Sequence, residues 1–264
     1  MRALGRETAA AAALLGLALV AWIVTVHRMA GMDAGPGTAL GGLGWYLGVW
    51  VTMMAAMMLP SAAPMVLLYA KVARERPGTP STPVFVAGYL AAWTAYGLAA
   101  YALYRLVAGV DHGALSWHRA GPYVAGAAVA GAGLYELTPL KSVCLRHCRS
   151  PLHFVLSGWR EGRLGAVTMG LEHGAYCVGC CWGLMVVLFS LGVMSLTWMA
   201  VLGAVIFAQK LLPGGERLTR VVAVALVAVG VWIAAAPGSV PGLTQPGQAS
   251  MAVGLGYPLQ SLGA

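Results

Sequence analysis

The chain has 264 residues, 59% of them hydrophobic and only 9% charged, with a formal net charge of +8. Soluble domains carry roughly 25% charged residues, so this chain cannot cover a globule with polar surface and lipid must be its solvent. Its basic residues fall in short clusters between apolar runs, without the aromatic-interleaved basic surface that reads nucleic acid, which excludes that class of partner.

Apolar runs of about 17–25 residues mark membrane-spanning helices. Seven occur in chain order: Ala9–Val26, Leu43–Ala70, Val84–Tyr104, Pro122–Leu140, Leu164–Val193, Leu196–Leu212 and Val221–Ala236. They predict an all-α, polytopic membrane helix bundle occupying residues 1–236, followed by an uncharged, Pro/Gly-rich tail, 237–264, expected to be disordered. The first run follows Arg2 and Arg6 and ends at His27-Arg28-Met29 without a small-residue cleavage site, so it reads as an uncleaved anchor. The second is overlong and contains Pro60 and Pro64, where a kink or break is expected.

Basic residues set the orientation. With the N-terminus inside, 13 of the 16 Lys and Arg residues lie on the cytoplasmic side, leaving Arg28, Arg105 and Arg119 opposite. The C-terminus is then outside. No internal repeat of the kind common in alternating-access carriers is visible.

The fifth run carries the densest chemistry. At 100° per residue, Met169, Glu172, His173, Tyr176, Cys177 and Cys180 share about 140° of helical arc, with Cys181 at its edge. Ionisable groups in hydrocarbon are costly and persist where they pair, line water or hold an ion. Isolated cysteines in such helices act as small hydrophobes, but three within five residues beside Glu and His point to a ligand or redox site. The second run supplies thioethers: Met53, Met54, Met57 and Met58, near Trp50 and Ser61. Thioether and thiolate are soft ligands suited to Cu(I), and thiolate also suits zinc. The expectation is that the Cys and Met clusters face each other at mid-membrane depth and share an ion.

Between the fourth and fifth runs, Cys144, His147 and Cys148 lie within about one helical turn, close to Glu136 and Lys141. They form a candidate second, cytoplasmic site, with both thiols expected reduced and reachable from that side. Glu136 and Glu172–His173 are expected to meet at similar depth close to Lys141, either in a structural ion pair or as a functional carboxylate. On the opposite side, His27, Met29, Met32, Asp33, Met194 and Met199 are scattered candidates for metal entry, and His112 and His118 are expected in solvent.

Three segments together resemble a known family. They are Met53-Met54-Ala-Ala-Met57-Met58-Leu-Pro60-Ser61-Ala-Ala-Pro64; Leu137 to Pro151 with Pro139, Lys141, Cys144, Cys148 and Arg149; and Gly174 to Met185, followed by Gly192, Met194, Trp198 and Met199. Over roughly Trp45 to Gly215 the chain is similar to the bacterial "predicted metal-binding integral membrane protein" family, a domain of unknown function. The resemblance implies metal binding through the Cys and Met positions. The family pattern has an acidic residue before Lys210, where this chain has Gln209, and a Gln where this chain has Glu136.

The leading expectation is a bacterial inner-membrane protein that binds Cu(I), or secondly Zn(II), for transport or delivery. Cys177, Cys180 and Cys181 are the principal ligands, the four methionines a soft shell, and Glu172 and His173 a second site or exit. Partners would be the lipid bilayer and a copper enzyme, metallochaperone or thiol oxidoreductase. No nucleotide-binding motif is present, so no nucleotide cofactor is expected. The alternatives are a membrane thiol-redox or metal-dependent oxidoreductase on the same residues, and a packing scaffold that holds a partner without metal.

Overall fold

The computed structural model describes residues 2–29, 40–76, 82–110, 119–192 and 195–239. The tail from 240 onward, and with it most of the segment expected to be disordered, lies outside them, as do Met32, Asp33, His112, His118 and Met194. Among the described residues the chain forms α1 (Arg2–Met29), α2 (Leu43–Glu75), α3 (Thr82–Val110), α4 (Gly121–Glu136), α5 (Pro139–Arg149), α6 (Pro151–Ser157), α7 (Gly162–Leu191), α8 (Leu196–Leu211) and α9 (Gly215–Ala235). No strand occurs among them, and the fold class is all-α.

Each apolar run is a helix. The connection expected as a loop is itself helical, as α5 and α6. Its start is written in Thr138-Pro139: the Thr138 hydroxyl accepts from the Lys141 amide at 3.3 Å, and proline fits the first helical position, where its missing N–H costs nothing. Pro151 opens α6 in the same way. Of the kink or break expected at Pro60 and Pro64, the break does not occur: α2 runs as one helix through both. The Ser61 hydroxyl donates to the Met58 carbonyl at 2.9 Å, one of the local adjustments by which a membrane helix tolerates proline.

Five helices are long and apolar enough to cross a membrane: Thr8–Met29 of α1, α2, Thr82–Gly109 of α3, α7 and α9. Helices α4 and α8 have 16 residues each. At 1.5 Å per residue they reach about 24 Å, short of a hydrocarbon core of about 30 Å. Leu15, Leu17, Leu19 and Val20 on α1, Leu103 and Leu106 on α3, and Val221, Val224 and Val231 on α9 all point outward and exposed. Water tolerates contiguous apolar surface of that kind poorly, and hydrocarbon suits it.

Side-chain contacts give the helix directions. Tyr46 reaches Gly97 and Trp50 reaches Trp93, so α2 and α3 are antiparallel. Gly170 abuts Phe85 and Gly174 abuts Tyr89, so α3 and α7 are parallel. Gly126 meets Gly230 while Gly133 meets Ala223, so α4 and α9 are antiparallel. Met57 lies against Gly203 and Ser61 approaches Lys210, so α2 and α8 are parallel.

Glycine sets the closest of these approaches. A Cβ on Gly170 would stand 2.1 Å from the Phe85 carbonyl oxygen. Helices in lipid gain association from such close backbone packing, because hydrophobic burial offers little there. The α3–α7 seam is therefore fixed in register, and that register places Tyr89 beside Cys177.

Candidate metal centre

Helix α7 carries Cys177, Cys180 and Cys181 on its inner face, each at most 2% exposed. Their three sulfurs lie within 4.8 Å of one another, and Sγ of Cys180 is 3.3 Å from Sγ of Cys181. Spacings of three and four residues stack side chains on one helix face, which is why 177, 180 and 181 converge. All five cysteines are free thiols.

A fourth thiol comes from another helix. Cys148, half-buried in the last turn of α5, has its sulfur 3.7 Å from that of Cys180. Cys144, one turn earlier, packs on α7 at Gly179, where a Cβ would come within 2.7 Å of its sulfur. Both thiols of the expected second site thus lie against α7, Cys144 at Gly179 and Cys148 at Cys180, so that site adjoins the Cys177 cluster. Cys144 is 8% exposed, and burial pushes its thiol up from the ordinary range. The Tyr135 hydroxyl donates to the Gly179 carbonyl and ties α4 to the same point.

The cluster is in contact with a buried cation. Lys210, in the last turn of α8, is 7% exposed, with Nζ 2.9 Å from Sγ of Cys177 and 3.4 Å from Oγ of Ser61 on α2. Tyr89 on α3 closes the other side, its hydroxyl 3.0 Å from Sγ of Cys177. Three helices thus meet at Cys177, and α2 joins them through Lys210. An ammonium buried this deeply needs an anionic or strongly polar partner, and the thiol cluster is what it faces.

The remaining expected residues are distributed around this centre. Met53, Met54, Met57 and Met58 are all buried, in the same core as the three cysteines. The residue of α2 that reaches the thiols, through Lys210, is Ser61, one turn beyond Met57. Glu172 turns away from the cluster and pairs with Arg160 at the partly exposed end of α7. His173 points inward, stacked near Phe85 and Tyr89 with Phe154 at its edge, and its Nδ1 has no hydrogen-bond partner. Glu172 and His173 therefore do not act on one point. His147 stacks flat on Tyr176 at 4.2 Å, with Nδ1 2.9 Å from the Val143 carbonyl oxygen, and is taken up by packing.

Glu136 does not meet Glu172. It pairs with Lys141, both fully enclosed, and accepts from Nε2 of Gln209 at 2.8 Å, while Lys141 donates to Oε1 of Gln209 at 2.9 Å. The two departures from the resembled family pattern are thus neighbours. In this chain one carboxylate and one amide surround one lysine, so the network holds one negative and one positive charge.

Residues 47–233 match the family PpoB2, described as copper chaperone. This chain belongs to that family. No curated protein and no solved structure matches it. The matched segment contains every thiol of the cluster, together with Ser61, Tyr89 and Lys210. The donor type agrees with the family's description: clustered thiols are soft ligands, suited to a soft metal such as copper.

Sequence reasoning missed Lys210, Ser61 and Tyr89 as parts of the centre. Lys210 had a signal, since it is a charge inside the apolar run Leu196–Leu212, and ionisable residues within such runs are functional by default. Ser61 had a weaker one, its place on the methionine face of the second run, and Tyr89 had none. Their roles come from the register between helices far apart in sequence.

Proposed function

We propose that this chain is a multi-pass protein of the bacterial inner membrane that binds Cu(I) and hands it to a copper-requiring partner. Seven helices cross the bilayer, with the N-terminus in the cytoplasm and the C-terminus outside. Cys177, Cys180 and Cys181 are the principal ligands, Cys148 lies alongside as a fourth thiol, and Met53, Met54, Met57 and Met58 form a soft wall. The observation that carries this reading is the trio of buried sulfurs within 4.8 Å of one another, in a chain of a copper-chaperone family. The alternation of helix directions supports the seven-span arrangement, and the exposed apolar faces support the bilayer.

Lys210 favours the monovalent ion. A metal among the three sulfurs sits about 5 Å from its ammonium, where each unit of positive charge costs roughly 3 kcal/mol at an effective dielectric constant of about 20. Zn(II) pays this twice and Cu(I) once. Removing the charge should therefore favour Zn(II) by roughly a hundredfold relative to Cu(I).

Metal analysis of detergent-purified protein tests the reading. Wild type should retain Cu(I), and the triple Cys177→Ser, Cys180→Ser, Cys181→Ser variant should not; equal copper in both would end it. Chelator competition on Lys210→Met and Lys210→Arg tests the selectivity, which only the Met variant should lose. Within the cluster, Cys180→Ser should weaken Cu(I) more than Cys148→Ser, because Cys180 neighbours both Cys181 and Cys148.

The rival reading is a thiol oxidoreductase, favoured by the approach of Cys148 to Cys180 from a different helix. It requires that diamide treatment reversibly remove two alkylatable thiols as those sulfurs form a disulfide. Metal binding without that loss argues for the chaperone.

A further inference from the structure

A second feature lies apart from the thiols, at the end of the bundle that holds most of the basic residues. A cavity of about 460 Å³ opens between α4, α5 and α9, lined by Lys141, Arg146, Arg149 and Arg220 against Glu136 and Glu216. These charges are unequally committed. Glu136 and Lys141 neutralise each other in the floor. Arg149 is fixed by donating to the carbonyl oxygens of Gln209 at 2.7 Å and Leu212 at 2.9 Å, neither of which cancels its charge. Arg146 and Arg220 are exposed and have no ion-pair or hydrogen-bond partner among the described residues. Three guanidinium groups thus face one open space with Glu216 as their single uncommitted counter-charge.

The cavity also sits at a particular depth. Gly133 on α4 lies against Ala223 on α9, and at that level Leu134, Leu137, Val221 and Val224 are all exposed. Leu137 belongs both to this apolar surface and to the lining of the cavity. Outward-facing hydrocarbon therefore gives way to arginine within about one helical turn, which is the position of phospholipid headgroups. Guanidinium groups recognise phosphate by paired N–H donors, and basic pockets between membrane helices bind anionic headgroups.

We infer that this cavity is a phosphate-anion site, occupied by the headgroup of an anionic phospholipid whose acyl chains lie along Leu134, Leu137, Val221 and Val224. Arg146 and Arg220 grip the phosphate, and Arg149 supplies a fixed positive wall. The inference does not depend on copper, because it rests on the guanidinium groups and the apolar surface beside them.

The test is thermal unfolding of the full-length protein in mixed micelles. Phosphatidylglycerol should raise Tm by several degrees more than phosphatidylcholine. The Arg146→Gln/Arg220→Gln variant should lose most of that difference, whereas Arg74→Gln/Arg163→Gln, outside the cavity, should keep it. Inorganic phosphate separates the two sources of the anion. If it alone reproduces the gain and displaces the lipid effect, the same site holds free phosphate. Equal Tm in the two lipids overturns the inference, as does a full gain in the Arg146/Arg220 variant or an equal loss in the control.

Discussion

His173 shows how a single side chain separates stability from function in this core. It is 2% exposed, its ring is enclosed by Phe85, Tyr89 and Phe154, and Nδ1 has no partner. A buried polar atom left unsatisfied costs about 1–3 kcal/mol, a cost that packing alone gives no reason to keep. His173 is also one helical turn before Cys177, close enough in register to reach an ion held there. Phenylalanine would fill the same aromatic slot without the orphan nitrogen. We expect His173→Phe to raise Tm of the metal-free protein, by about 2–4 °C per kcal/mol recovered, and to weaken Cu(I) retention. A lower Tm in the metal-free variant would mean that the nitrogen has a partner after all. A second residue-scale effect concerns Glu136 and Gln209. Glu136→Gln leaves Lys141 enclosed between two amides, and breaking a buried pair in this way costs about 3–5 kcal/mol. Adding Gln209→Glu returns a carboxylate to the same lysine. Urea or thermal unfolding should therefore show a severe defect in the single variant and substantial recovery in the double, a coupling that additive behaviour would disprove.

At the scale of elements, the centre depends on how closely α3 and α7 approach. The Gly170 and Gly174 positions let α7 lie directly on the α3 backbone, and the same register sets Tyr89 3.0 Å from Cys177. Gly170→Ala would put a methyl group 2.1 Å from a main-chain oxygen, which no rotamer change can relieve, so the helices must separate. We expect a loss of about 1–3 kcal/mol together with weaker Cu(I) binding. Gly131→Ala, where nothing lies within 4 Å of the added carbon, serves as the control and should be neutral. If the two variants behaved alike, close packing at this seam would not matter. The helices themselves were legible in the sequence, because hydrocarbon demands long apolar runs and each run became a helix. The short pieces α5 and α6 were not, since neither is apolar enough or long enough to stand out. Their signals were local, in Thr138-Pro139 and Ser150-Pro151. The thiol triad was legible because one helix carries it. The arrival of Cys148 from α5 and Lys210 from α8 was not, because sequence periodicity describes a helix face and not what opposes it.

For the whole molecule, the open question is which segments cross the bilayer. Five helices satisfy length and apolarity, while α4 and α8, at about 24 Å, fall short of a full hydrocarbon core. Their contacts favour the seven-span arrangement proposed above. Helix α8 runs parallel to α2 with Met57 on Gly203 and Ser61 near Lys210, and α4 runs antiparallel to both α7 and α9. A helix lying along the surface could not keep such matched pairings over several turns with a long spanning neighbour. Short spans are accommodated by local thinning of the bilayer or by snorkelling of flanking basic residues, and the exposed Arg217 and Arg220 follow α8. The 13-to-3 division of Lys and Arg follows the same alternation. Reporter fusions after Pro80, Ser116, Ser157 and Gly238 should therefore read inside, outside, inside and outside. Losing α4 or α8 alone would reverse every later reporter, so the two short helices are tested separately. A Ser157 fusion outside would remove α4. A Gly238 fusion inside, with Ser157 still inside, would remove α8 and move the tail to the cytoplasm.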